Sequence, residues 1–295
     1  MSWVIHVPAT TANLGAGFDS IGVALNLYLT LEAELSEEWE FIPLSDGMDD
    51  LPSGKSNLIY EIAYQVANQF GYDEVPACRV KMTSDIPLAR GLGSSATAIV
   101  AGIELANVLL NLSLTTEQKL EIATVVEGHP DNVAPSILGG CVIGHYDNQL
   151  NWIHVPIHDL TFLAMIPSFE LKTSEARSVL PATFSYKESV QASSVANVSV
   201  AAICQGNWSL LGEMMEKDRF HQPYRKALIP HYDALMELVK EDVYGAFLSG
   251  AGPTMIALAN EAVINQKLEQ WKNAYPTFHW LPLQVENNGV TVKEI

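Results

Sequence analysis

Residues 86–107, IPLARGLGSSATAIVAGIELAN, place two glycines and two serines directly ahead of a run with helical periodicity. Gly91 and Gly93 permit backbone conformations closed to other residues and let main-chain N–H groups turn inward around a guest. Ser94 and Ser95 add hydroxyls at the helix start, where unpaired N–H groups and the helix dipole favour an anion such as a phosphate. A tight corner followed by a serine cap uses the same residues, so the stretch alone reads either way. It has no Gly-Lys-Ser/Thr at Walker A spacing and no G-x-G-x-x-G fingerprint, which sets aside those nucleotide folds.

Working outward, Ile99, Ile103, Ala106 and Leu110 recur at helical spacing and predict a helix lying lengthwise against a core. Upstream, CRVKMTSDI (78–86) reads as a strand, and LIYEIAYQVANQF (58–70) as a helix begun at Asn57 and stopped at Gly71. WVIHV (3–7) reads as a strand stopped by Pro8, residues 8–20 as a small-residue loop, and Val23 to Leu31 as a strand of period two. Downstream, Thr115 and Gln118 have capping-box spacing for a helix ending near Gly128.

The second half predicts a strand over 160–168, helices over 189–205, 209–218 and near 231–240, and a strand-turn-strand over 245–259. A last helix over 262–275 and a last long strand over 278–285 follow. This is mixed α+β in two closely packed halves, with expected domains 1–155 and 156–295 and no flexible linker.

A net charge of −18 over 295 residues argues against nucleic-acid and anionic-membrane partners, so an anionic ligand must be held by local donors. Cys78, Cys141 and Cys204 are odd in number, widely spaced and without metal-ligand spacing, which argues against a disulfide framework. The N-terminus lacks a basic, apolar leader, and AIVAGIELANVLL (98–110) is interrupted by Glu104, so a cytoplasmic location is expected. The sequence leaves the oligomeric state open, a homodimer being one option.

PLARGLGSSATA (87–98) resembles the phosphate loop of the GHMP kinases, VPATTANLGAGFDSIG (7–22) is similar to the first motif of the homoserine kinases among them, and LSGAGPTMIAL (248–258) is similar to the superfamily's C-terminal glycine-rich motif. The three occur in the family's order and span both halves. The resemblance implies an N-terminal ribosomal protein S5 domain 2-like domain and a ferredoxin-like C-terminal domain. It also implies ATP and Mg²⁺, with the nucleotide held by Pro87, Leu88, Ala89, Arg90, Gly91, Leu92, Gly93, Ser94, Ser95 and Ala96, and the adenine met by Asn57. A helix N-cap is an equally good reading of Asn57.

Glu127 closes its helix at the negative end of the dipole, where an anion is disfavoured unless a cation compensates. The bland alternative is a solvated glutamate. The resemblance assigns Glu127 and Ser95 to the metal, with Ser94 and Ser95 not separable by spacing. It implies L-homoserine as acceptor, its ammonium gripped by Asn13 and Asp19 and its carboxylate embraced by Arg177 and Arg225 with Thr173 close by. His129 and Asn132 belong to HPDNVAP (129–135), similar to a homoserine kinase signature. Asn132 stands where mevalonate kinase-like members carry an aspartate base, and Asp131 is expected to point elsewhere, so no carboxylate base is expected. Asn132 and Arg225 then serve the reaction by alignment, and Gly250 and Gly252 by close backbone approach. The implied activity is phosphorylation of the L-homoserine hydroxyl, feeding threonine synthesis. The alternatives are a mevalonate-like GHMP kinase and a non-catalytic amino-acid or nucleotide sensor on the same fold.

Overall fold

The structure is a computed structural model that describes residues 2–295. Its first half runs β1 (Ser2–Ala12), β2 (Ile21–Leu35), β3 (Glu40–Pro43), α1 (Leu58–Gln69), β4 (Cys78–Ser84), α2 (Ser94–Leu109), α3 (Thr116–Glu127), α4 (Val133–Leu138), β5 (Cys141–Asp147) and β6 (Gln149–Val155). The second runs β7 (Thr161–Ile166), α5 (Thr173–Ser178), α6 (Tyr186–Gln205), α7 (Trp208–Met215), α8 (Gln222–Arg225), α9 (Tyr232–Val239), β8 (Gly245–Leu248), β9 (Met255–Ala259), α10 (Glu261–Ala274), β10 (His279–Leu283) and β11 (Thr291–Glu294).

The first sheet has the order β11-β1-β2-β4-β3, and the long β2, paired with β1 along one edge, is shared along the other: Ile21–Val23 pair with β5 and Leu29–Leu35 with β4. The second sheet is antiparallel throughout, in the order β10-β7-β9-β8. Strand alternation gives this sheet two buried faces. Phe162, Ala164, Ile166, Ile256 and Leu258 join the core of the first sheet. Leu163, Met165, Met255 and Ala257 instead meet Leu235 and Trp271. The two halves thus share one continuous core, in agreement with the close packing expected of them.

Four expectations need correction. The first strand does not stop at Pro8; it continues to Ala12, and its register against β2 slips between Pro8 and Ala9, where a residue without an N–H can be accommodated. The loop therefore shrinks to residues 13–20. The last strand is β11, which returns to pair with β1, so the unit expected over 156–295 gives its final strand to the first sheet. Helix α2 is buried well beyond one stripe, down to Glu104 at 1% exposure, whose carboxylate receives Lys119 at 2.7 and 2.9 Å. Removing Lys119 alone would leave the buried Glu104 charge uncompensated, at a cost of about 3–5 kcal/mol.

Candidate active site

A cleft of about 250 Å³ opens where the N-terminus of α2 meets loop 13–20, the turn after α3, α5 and the β8–β9 turn. One wall is backbone. Gly91 and Gly93 sit at φ +77° and +74°, and the first intrahelical bond, from Thr97 N to Gly93 O, leaves the N–H groups of Ser94, Ser95 and Ala96 outside the ladder. The carbonyls of this loop are taken by the protein itself. Ala89 O accepts from Leu171 N, Arg90 O from Thr254 N, Gly91 O from Ser249 Oγ, and Leu92 O from Thr10 N. Among the described residues, no N–H from 89 to 96 donates to a backbone acceptor, so the loop meets a guest with donors. That arrangement suits an anion.

Space fixes the glycines as firmly as their φ. A Cβ on Gly91 would come within 2.4 Å of Ser249 O, and one on Gly93 within 2.1 Å of Thr10 Oγ1. The Ser249 hydroxyl, buried and paired with Thr11 Oγ1 at 2.8 Å, ties the C-terminal glycine motif to the back of the loop.

The opposite wall is charged. Asn13 and Asp19 adopt positive φ, and the loop between them is held by Asp19 N donating to Asn13 Oδ1 and by Asn13 Nδ2 donating to Gly250 O, both at 3.0 Å. Asp19 receives both terminal nitrogens of Arg177, at 2.8 and 3.1 Å, and this pairing raises the Arg177 pKa further. Arg225 is 2% exposed and stacks, with Arg177, over the Phe18 ring. Its Nε donates to Ala176 O and its Nη1 to Gly250 O, which leaves Nη2 for a guest. Burial, then the charge of Arg177, pushes its pKa down to about 10, so it remains a cation at neutral pH.

The turn 129–132 supplies a linked set. His129 Nδ1 and Asn132 Nδ2 both bond Asp131 Oδ1, at 2.7 and 3.0 Å, and Thr10 Oγ1 donates to Asn132 Oδ1. The Asn132 amide is thereby oriented with one N–H free, as a donor. Burial lowers the His129 pKa, but the bond to Asp131 and the charges of Asp131, Asp19 and Glu127 outweigh it, and the net shift is upward. Burial also raises the Glu127 carboxyl pKa, with His129 opposing and Asp131 adding to it.

The cleft brings together Ala89, Gly91, Gly93, Ser94, Ser95, Ala96, Asn13, Asp19, Glu127, His129, Asn132, Thr173, Arg177, Arg225, Gly250 and Gly252, all nominated from sequence. Five nominated residues lie elsewhere. Asn57 is buried as the N-cap of α1, its amide bonded to Ile59 N and Pro52 O. Leu92 is in the core. Pro87, Leu88 and Arg90 line a neighbouring groove, and Arg90 clamps the halves by donating to Leu88 O, Pro167 O and Ser168 O. Four cleft residues were not nominated: Leu171 and Ala251, which have apolar side chains, and the charged Asp131 and Lys172. Asp131, expected to point away, is 2% exposed and faces the cleft because the turn into α4 directs it beside His129. Lys172, next to Thr173 in a chain with 16 basic residues, was the legible signal passed over.

The GHMP kinase N-terminal domain family matches residues 57–140 and the GHMP kinase C-terminal family residues 199–277. A homoserine kinase of Halalkalibacterium halodurans is 48% identical over 294 residues, covering 99% of this chain and 95% of the relative. The chain belongs to the homoserine kinases of the GHMP kinase family. A homoserine kinase of Bacillus cereus is 46% identical over 98% of this chain and 96% of its own. Among solved structures, the homoserine kinase of Cytophaga hutchinsonii superposes with a TM-score of 0.86 at 26% identity, covering 99% of this chain and 97% of that one. A mevalonate kinase superposes at 0.72 with 17% identity, over 97% of this chain and 99% of that one, which speaks to the fold alone. Family membership makes this chain an ATP-dependent small-molecule kinase and favours homoserine over the mevalonate-like and sensor alternatives. Among the described residues, no helix is long and apolar enough to cross a membrane.

Proposed function

We propose that this cleft transfers the γ-phosphoryl group of ATP to the side-chain hydroxyl of L-homoserine. The observation that carries the reading is the donor-only face of residues 89–96, whose carbonyls are all engaged behind the loop. A triphosphate tail fits there, against the positive end of α2, worth about 0.3–1 kcal/mol from the dipole and up to ~2 when partly buried.

Across the cleft, Arg177 and the free Nη2 of Arg225 receive the amino-acid carboxylate, and Asp19 the ammonium, with one lone pair of Asn13 Oδ1 still available. The Asp19–Arg177 pair exchanges partners with the zwitterion: each charge meets the opposite one on the ligand. Thr173 and His129 border this subsite. Asn132 presents an N–H towards the acceptor hydroxyl, and Asp131 holds His129 and Asn132 in place rather than removing a proton. Rate enhancement then comes from positioning and charge stabilisation.

Ser94 or Ser95 with Glu127 forms a hard-oxygen donor pair beside the phosphate wall, and a half-buried carboxylate whose charge is disfavoured by burial fits a divalent cation. When bound, Mg²⁺ neutralises charge on the β- and γ-phosphates. In this reading residues 1–155 with β11 form one unit and 156–283 the other, and the enzyme is cytoplasmic. A homodimer, if formed, is read by sedimentation.

The test is coupled ADP release with L-homoserine, L-serine, L-threonine and mevalonate, with and without EDTA. Turnover stimulated by homoserine and abolished by EDTA supports the proposal; well-folded protein without homoserine-stimulated turnover contradicts it.

A further inference from the structure

His221, at the entry to α8, is fully buried and touches two parts of the acceptor wall. Its Nε2 lies 2.9 Å from Gly15 O, in the loop that carries Asn13 and Asp19. A carbonyl can only accept, so Nε2 carries the hydrogen. Its Nδ1 lies 3.4 Å from Nη1 of Arg225, a donor, which requires a lone pair on Nδ1. Both contacts are satisfied by one species, the neutral Nε2–H tautomer. Burial lowers the His221 pKa, with the Asp218 charge opposing, and favours that neutral form. The ring stacks on Phe18 at 5.3 Å and 17°. Asp218 lies beside it, with Oδ2 3.5 Å from Nε2, and its carboxylate accepts from the backbone N–H groups of Phe220, His221 and Gln222.

Phe18 is also the face over which Arg225 lies, 5.1 Å from the ring centroid. Ring, guanidinium and loop carbonyl therefore form one assembly. His221 and Gly250 together occupy Nη1 and Ala176 occupies Nε, which fixes the plane of the guanidinium and leaves Nη2 without a partner among the described residues, in a side chain that lines the cleft.

We propose that His221 is a positioning residue for the acceptor: it fixes the guanidinium of Arg225 and couples that orientation to loop 13–20. The proposal rests on the reading of Arg225 as a substrate-binding residue. Its action is on homoserine and not on ATP, because the two cleft elements its ring nitrogens bond, the Gly15 carbonyl and Arg225, belong to the acceptor wall. The function of this histidine is invisible in the motifs, since it touches no guest itself.

The experiment compares steady-state kinetics of the full chain with His221→Asn and His221→Gln. The Asn oxygen overlays Nδ1 and keeps an acceptor for Arg225; the Gln amide reaches the Nε2 position and keeps the donor to Gly15. Losing the Arg225 contact in His221→Gln should raise the homoserine KM about tenfold, with the ATP KM unchanged, and His221→Asn should recover most of that loss. Equal effects of the two variants, no effect of either, or an ATP KM that moves as much as the homoserine KM would overturn the proposal. Long-range ¹H–¹⁵N spectra of the unsubstituted protein give a second readout independent of variant folding. The Nε2-protonated tautomer at neutral pH supports the assignment, and the Nδ1 tautomer or imidazolium overturns it. Arg225→Lys separates the two readings: an unchanged homoserine KM there removes the premise about Arg225, whereas a raised KM alongside an inert His221→Gln removes the role of His221 alone.

Discussion

On the wall formed by residues 89–96, the groups facing the cleft are backbone amides held by two left-handed glycines, whereas across the cleft they are charged side chains from four separate segments. The amide wall is finished before any ligand arrives: its carbonyls are bonded behind it and its donors have no other partner in the backbone. The charged wall is also satisfied, but by itself. Asp19 holds Arg177, Asp131 holds His129, and Arg225 is braced by carbonyls. Fixed dipoles cost little reorganisation when an anion binds, while paired charges must be exchanged for those of the ligand. In the function proposed above, the first wall therefore supplies affinity for a phosphate tail and the second discrimination for a zwitterion.

Four substitutions break or sharpen this contrast. Gly91→Val drives a branched side chain into Ser249 O and Gly252 O and forbids the observed φ, so turnover should fall by about 10³-fold, as when fixed donors at a reacting centre are lost. Homoserine binding measured by calorimetry should weaken as well, because Ser249 and Gly252 flank Gly250, whose carbonyl holds Asn13 and Arg225; unchanged homoserine binding would mean that the two walls are independent. Asp19→Asn leaves Arg177 without its carboxylate and the ligand ammonium without a counter-charge. The homoserine KM should rise by about 10–100-fold, the range for a lost charged hydrogen bond, with the ATP KM within about twofold.

Asp131→Asn tests holding against proton removal. Loss of a general base costs about 10²–10⁴-fold, so a fall in kcat of less than about tenfold keeps Asp131 as a brace for His129 and Asn132. Lys172→Ala, at an exposed lysine on the rim, should change the ATP KM by no more than about fivefold, the worth of an exposed ion pair. A change of 10² or more would mean that the phosphate wall depends on a side-chain cation.

The difference between the walls also explains what could be read from the chain. The amide wall is local: glycines, serines and the start of α2 are contiguous, and so were legible before any tertiary information. Yet contiguity misled at Arg90 and Leu92, which alternate away from the cleft into the domain junction and the core. The charged wall needed the motif resemblance to bring Asp19, Arg177 and Arg225 together, and Asp131 was misjudged because its direction depends on the turn into α4. Asn57 has the amide of a ligand-binding residue but both of its ends are engaged locally. Strands β6 and β11 were not read from the sequence: β6 has no fully buried residue and its alternation, Gln149 to Trp152, is short, while β11 is exposed throughout and is recruited by the edge of β1.

In the proposed reaction a triphosphate tail meets the amides of 91–96 while the Asp19–Arg177 pair opens to admit homoserine. A crystal structure with a non-hydrolysable ATP analogue and L-homoserine tests it most directly. Phosphate oxygens should lie at about 3 Å from those N–H groups, with the homoserine carboxylate on Arg177 and Arg225 and its ammonium on Asp19. A tail bound away from the α2 N-terminus, or an intact Asp19–Arg177 pair with homoserine bound elsewhere, would contradict it.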